Sequence, residues 1–171
     1  MLRHKYGITD ASLLIVIYPS VVKKHHPRWD LQRLARVSAK ISGLIKGRIA
    51  VVGGAREGRE WRAAFGNSGG IVNLAGQLTV PETAALLAQA RLAICNDGGI
   101  MHLAGAVGCP MVAIMPGVSR YHRPPGEFVR VITPPLIAGS AGGIDCISEE
   151  AVNKAAAELV DATDGSKKII K

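Results

Sequence analysis

Short runs of uninterrupted apolar residues, recurring between segments of helical periodicity, most constrain what this chain can become. Leu13–Tyr18 reads LLIVIY, Arg48–Gly54 RIAVVGG, Leu92–Cys95 LAIC and Met111–Met115 MVAIM. A strand that does not alternate apolar with polar residues must be covered on both faces, as in a parallel sheet. Gly70–Asn73 and Phe128–Ile132 supply two further candidate strands.

The intervening segments carry helix signals. Asp30 is placed to cap a helix reaching about Lys46, with Leu31, Leu34, Val37 and Ile41 at helical spacing. A second helix is predicted over Glu57–Phe65. A third follows Thr79-Val80-Pro81-Glu82, with Thr79 as cap and Pro81 in the first turn, and continues through Ala84–Ala90. The fourth starts near Gly99 and runs to Val107. Ser148 caps a fifth, with acidic Glu150 in its first turn, ending around Val160. Strands alternating with helices give βαβ units, and hence an α/β, Rossmann-like, doubly wound parallel sheet. The expected organisation is an N-terminal extension over 1–12, one domain over 13–163 and a flexible tail over 164–171. Gly139–Gly143 is expected to be a loop.

Length fits that reading. At 171 residues the chain suits one domain and can bury roughly 70% of its unfolded surface. Aromatic residues are 4%, so Val, Ile, Leu and Ala must build the core. Cys95, Cys109 and Cys146 are far apart, without the CxxC spacing of a zinc site, and an odd count argues against a disulfide framework. No run of 18 apolar residues exists to span a bilayer, and Leu13–Tyr18 is too short for a signal-peptide core. A reducing, cytoplasmic setting is expected. The net charge of +8 suits a polyanionic partner without choosing among nucleic acid, phosphorylated substrate and anionic membrane. Aromatic residues are not interleaved with Lys and Arg, which argues against a single-strand stacking platform.

Ligands of open α/β sheets bind beyond the carboxyl ends of the strands, which selects Pro19–Trp29, Gly53–Glu60, Asn96–His102 and Pro116–Pro125. The most informative is Asn96-Asp97-Gly98-Gly99-Ile100-Met101-His102. Its glycines let backbone approach a ligand, and the helix start offers unpaired N–H groups and partial positive charge to a phosphate. His102 can donate to the same anion. The competing reading makes Asp97 an N-cap, the glycines a tight turn and His102 a surface residue.

Residues 97–105, DGGIMHLAG, resemble the Asp-(Ser/Thr)-Gly-x-x-His-Leu-Ala segment of family 9 glycosyltransferases, the ADP-heptose:lipopolysaccharide heptosyltransferases. LAGQLTVPETAALLAQARLAICN resembles the family's preceding block, and GCPMVAIMPG its following one. YPSVVKKHHPRWDLQRLARV and RIAVVGGAREGREW are similar to two upstream blocks, in the same order and spacing. The resemblance implies the C-terminal, nucleotide-sugar-binding half of a GT-B enzyme. By position, Asp97, Gly99 and His102 fall in the segment holding the nucleotide diphosphate, and Gly98 stands where the family has Ser or Thr. Ser20 and Lys24, or Lys23, match the phosphate-facing loop after the first strand; without the family, the lysines read as a solvated basic loop. Glu60, with Glu57 as second choice, matches an acid that accepts from ribose hydroxyls; each also reads as a helix-start acid. Trp29 is expected to pack under its loop, and Gly117 and Ser119 are candidates for lining the pocket. Arg120, His122 and Arg123 read as a solvated face.

Three signals are rejected. GGAREGRE has P-loop spacing, but Arg59-Glu60 replaces the required Lys-Ser/Thr. His25-His26 are adjacent loop residues without a carboxylate cluster, and no metal is expected. Cys95 and Cys109 read as inert core thiols.

The implied reaction is inverting transfer of a sugar, typically heptose from ADP-heptose, to a lipopolysaccharide core acceptor. It requires no cofactor and places the protein in the cytoplasm, peripheral at the inner face of the membrane. The family's catalytic base belongs to an N-terminal domain expected to lie outside this chain; Asp10 precedes the first strand and does not qualify. The alternatives are part of an active glycosyltransferase, as a piece of a longer enzyme or a subunit completed by a partner chain, and a stand-alone or degenerate nucleotide-binding domain; a homo-oligomer is a separate expectation. A nucleic-acid-binding protein and a nucleotide-sugar epimerase are weaker readings: the first expects steep salt dependence, and the His-Leu-Ala continuation opposes the second.

Overall fold

The computed structural model describes residues 13–20, 27–66, 70–117, 122–137 and 140–167, with the side chains of 136, 137, 140, 141 and 164–167 excepted. Six strands form one parallel sheet: β1 (Leu14–Tyr18), β2 (Arg48–Val51), β3 (Ile71–Asn73), β4 (Leu92–Asn96), β5 (Met111–Ile114) and β6 (Val129–Ile132). Their order is β3-β2-β1-β4-β5-β6, with every neighbouring pair parallel. The chain winds outward from β1 to β3, then returns to β4 on the other side of β1. The order reverses between β1 and β4, opening a crevice between their carboxyl ends, where such sheets bind ligands. Tyr18 of β1 is in register with Cys95 of β4 there.

Burial explains the apolar runs, since β1, β4 and β5 are buried at every position. Ile15, Ile17, Val51, Ile94 and Val112 face one core with Leu34, Val37 and Ile41 of α1 (Leu31–Ile45) and Val152, Ala156 and Leu159 of α5 (Glu149–Lys167). Leu14, Val16, Ala93, Cys95 and Met111 face the other, against Leu86 and Leu87 of α3 (Val80–Leu87) and Met101 and Ala104 of α4 (Gly99–Ala106). Trp61 of α2 (Ala55–Phe65) joins the first core. Successive residues of a strand thus serve opposite layers, and a polar residue within them needs a partner to replace the water it loses.

The helix starts follow the expected chemistry. Asp30 accepts from the Arg33 N–H at 3.0 Å, and the Ser148 hydroxyl accepts from Ala151 N at 3.1 Å. Thr79 and Glu82 form a reciprocal capping box. Two expectations are corrected. The last helix does not stop near Val160 but continues to Lys167, stitched by Thr163, whose buried hydroxyl donates to the Leu159 carbonyl at 2.8 Å. Gly139–Gly143 is not all loop: Ser140–Ala141 (β8) pairs antiparallel with Leu136–Ile137 (β7), a two-residue ribbon too short to leave a periodic signal.

Candidate functional site

The carboxyl end of β4 is held to the loop after β1 by one side chain. Asn96 is fully buried; its Oδ1 accepts the Trp29 N–H at 2.9 Å, and its Nδ2 donates to the Pro19 carbonyl at 2.9 Å and the Trp29 carbonyl at 3.4 Å. Trp29 is fully buried, with its indole N–H donating to the Ile147 carbonyl at 3.0 Å. Arg28 performs a second tie, donating through Nη1 to the Ser20 carbonyl at 2.7 Å and to Glu60 Oε2 at 2.5 Å. These bonds fix both flanks of residues 21–26.

β4 then passes through Asp97 and Gly98 into α4. Gly98 has φ 155°, and a Cβ there would lie 2.5 Å from the Tyr18 hydroxyl, so glycine is required sterically as well as conformationally. Gly98, not Asp97, is the N-cap residue, and no side chain caps it. The ladder of α4 begins with Met101 and His102 N–H groups reaching the Gly98 carbonyl, so the amides of Gly99 and Ile100 precede it. No acid stands in its first turn.

Helix α2, after β2, makes the contrast. Its N-cap is Gly54, whose N–H donates to Glu57 Oε2 at 3.0 Å, so the helix start is already answered by its own carboxylate. This is the segment with false P-loop spacing, and a phosphate there would meet a negative charge.

A cavity of about 520 Å³ lies between these two helix starts. Tyr18, Gly54 and Glu57 border it together with Gly99 and His102, while Ile100, Leu103, Ala106 and Val80 give it an apolar wall. Of the residues singled out from sequence, the fold therefore gathers Glu57, Gly99 and His102 around one space, with Asp97 and Gly98 in the adjoining turn. Ser20 is buried at the start of the loop after β1, with φ 56°. Glu60 is not among the residues bordering the cavity; its carboxylate is engaged by Arg28 and, at 3.0 Å, by Arg56. Burial pushes the Glu60 carboxyl up, but the hydrogen bonds and charges of both arginines outweigh it and leave its pKa below the ordinary value. Gly117 is exposed beyond β5 and does not border the cavity. Lys23, Lys24, His25, His26, Ser119 and Arg120 lie outside the described residues.

Sequence reasoning placed Asn96 and Arg28 in the selected loops without giving either a role, and it left Tyr18 out of the site. Asn96 left one signal, a polar residue ending an otherwise apolar strand. Burial pushes the Tyr18 phenol above its ordinary value; the Ser20 hydrogen bond opposes this, and the charges of Glu57, Cys95 and Asp97 add to it. It is therefore a neutral O–H donor at physiological pH. The thiols of Cys95 and Cys109 are buried, and desolvation pushes the latter up to about 12, which leaves both protonated and unreactive. Among the described residues no group of three or more His, Cys, Asp or Glu gathers as a metal site would need, and no helix is long and apolar enough to cross a membrane.

Comparison with known proteins agrees with this fold. The sequence matches the family model "Glycosyltransferase family 9 (heptosyltransferase)" over residues 5–125. The fold is similar to E. coli ADP-heptose lps heptosyltransferase II, with TM-score 0.79 and 22% identity over 95% of this chain and 50% of that one. It is similar to the family 9 glycosyl transferase from Veillonella parvula DSM 2008, with TM-score 0.79 and 24% identity over 94% of this chain and 49% of that one. A third similar structure, E. coli heptosyltransferase WaaC with ADP, has TM-score 0.72 and 18% identity over 88% of this chain and 45% of that one. The chain thus spans about half the length of these proteins. No curated protein matches the sequence significantly.

Proposed function

The chain belongs to glycosyltransferase family 9, and from that premise we propose that its switch-point cavity binds the donor of a sugar transfer, a nucleoside diphosphate sugar of the ADP-heptose type. The observation that carries this reading is the uncapped start of α4. Gly99 and Ile100 border the cavity at a helix start that no side chain caps and whose first turn carries no acid. In this reading the diphosphate accepts from the amides of Gly99 and Ile100 and from the His102 imidazole. By family resemblance, Lys23 or Lys24 adds positive charge for the diphosphate.

Each remaining group follows from what it can donate or accept. A carboxylate cannot donate to phosphate, so Asp97 accepts from hydroxyls of the transferred sugar. Glu57 borders the cavity and accepts from the ribose, a role its position supports better than that of the doubly paired Glu60. The apolar wall of Ile100, Leu103 and Val80 receives the base. When an acceptor hydroxyl displaces the diphosphate with inversion, the leaving oxygen gains negative charge, and amides already aimed at it stabilise that charge without reorganising. We assign the described residues to the donor side of this reaction and no catalytic base among them. By family likeness the acceptor is a lipopolysaccharide core sugar at the cytoplasmic membrane face.

Calorimetry with ADP and ADP-heptose tests the reading. The parent protein binds both, His102→Ala weakens both by roughly tenfold, and Asp97→Ala weakens the sugar nucleotide more than ADP. Absence of nucleotide binding by the parent refutes the reading. Unchanged affinity in both variants moves the site elsewhere.

A further inference from the structure

Position 98 carries no side chain, and the space a side chain would fill is taken. A Cβ at Gly98 would stand 2.5 Å from the Tyr18 hydroxyl and 2.8 Å from its ring carbon Cε1, so the phenol, anchored in the core at the end of β1, lies across the glycine turn. Tyr18 also borders the same cavity as Gly99 and His102. The glycine thus does more than permit a tight turn, because it admits a hydroxyl from another strand to the place where a residue of the turn would otherwise present its own.

We infer that Tyr18 is a ligand-binding residue, its phenolic O–H donating to the diphosphate in place of the side-chain hydroxyl that Gly98 cannot supply. The inference rests on the proposed donor site and adds a contact that no residue of the turn itself makes. Two further observations bear on it. The ring is buried in the second core, with β1 and the switch point holding it, so little side-chain freedom is lost on binding. The phenol also stays protonated through the physiological range, because burial opposes its ionisation. A neutral donor beside Glu57 and Asp97 adds no negative charge for the diphosphate to meet.

The test is Tyr18→Phe in the full chain, which keeps the ring and removes one oxygen. ADP, AMP and adenosine are titrated against parent and variant, with thermal unfolding in parallel. The inference expects roughly tenfold weaker ADP binding, little change for adenosine and an unfolding midpoint close to the parent's. Equal ADP affinity in parent and Tyr18→Phe overturns it, as does an equal loss for ADP and adenosine, which would mark Tyr18 as mere packing. Failure of the parent itself to bind ADP instead strikes the donor-site reading. Gly98→Ala supplies an independent arm. Its methyl collides with the phenol, so it weakens ADP in the parent background, and Tyr18→Phe adds little further loss on top of it. Full additivity of the two substitutions contradicts a shared contact.

Discussion

Asn96 and Trp29, 67 positions apart, exchange hydrogen bonds across the point where the strand order reverses: the Trp29 N–H donates to Asn96 Oδ1 at 2.9 Å, and Asn96 Nδ2 donates back to the Trp29 carbonyl at 3.4 Å. A side chain thereby does what a backbone ladder cannot, because β1 has ended at Tyr18 and the chain is turning away from the sheet. Three buried backbone groups, counting the Pro19 carbonyl, depend on this one amide.

Asn96→Leu should accordingly be among the costlier single changes in the protein. Leu has similar volume but strands the Trp29 N–H and two carbonyls, a penalty of about 2–3 kcal/mol. At this chain length that corresponds to a fall in Tm of roughly 5–10 °C. Differential scanning calorimetry measures it. A shift within error of zero would show that water replaces the amide without cost.

How much of this was legible beforehand follows the range of the interactions. The strands announced themselves because burial on both faces forbids polar interruptions, as in Leu14–Tyr18 and Met111–Ile114. Asp30 and Thr79 were readable as caps because a cap is settled within three residues. The glycine turn could be read from local chemistry, and its neighbours at the cavity could not. Nothing within a few residues of Tyr18 says that its hydroxyl will lie over Gly98, nor that Arg28 will engage Glu60 and leave Glu57 at the cavity. Such contacts are fixed by the order of the strands. The β7–β8 ribbon and the final turns of α5 escaped for a different reason, being too short or too weakly amphipathic to stand out from a Gly-rich or polar background.

Glu57 serves both as the partner of the α2 start and, in the proposed site, as acceptor for the ribose. Glu57→Gln separates these roles, since an amide oxygen can still accept the Gly54 N–H. Stability should change little. Selectivity for ADP over its 2′,3′-dideoxy analogue should narrow, because a neutral acceptor holds a hydroxyl less strongly than a charged one. Calorimetry with the two ligands reads this ratio, and an unchanged ratio would remove Glu57 from the nucleoside.

Lys46 ends α1 with φ 52°, a left-handed conformation that costs a side-chain-bearing residue energy. The glycine of this turn stands one residue later, where a Cβ at Gly47 would run into the Leu13 carbonyl. Lys46→Gly should stabilise the fold by about 0.5–1 kcal/mol, partly offset by the freer unfolded chain. It should leave nucleotide affinity as it was. Urea unfolding supplies the number, and destabilisation would mean that the lysine side chain contributes more than its backbone costs.

Glu60 has its folded pKa held below the ordinary value by Arg28 and Arg56, so its ionised form stabilises the fold. That contribution is fully present above the unfolded carboxyl value of about 4.3 and is lost as pH falls through the lower folded value. Glu60→Gln should therefore lower the urea midpoint at pH 6, with the gap to the parent shrinking below about pH 4.3. Added salt should narrow the same gap at pH 6, because the pair is partly exposed. A gap that widened on acidification would contradict the assignment.

The most direct measurement of the central claim is the structure of the full chain crystallised or soaked with ADP. The account predicts the diphosphate on the amides of Gly99 and Ile100, with His102 and the Tyr18 hydroxyl within hydrogen-bond reach. Diphosphate density at the Glu57-bearing start of α2, or anywhere else along the sheet's edge while the α4 turn stands empty, would contradict it.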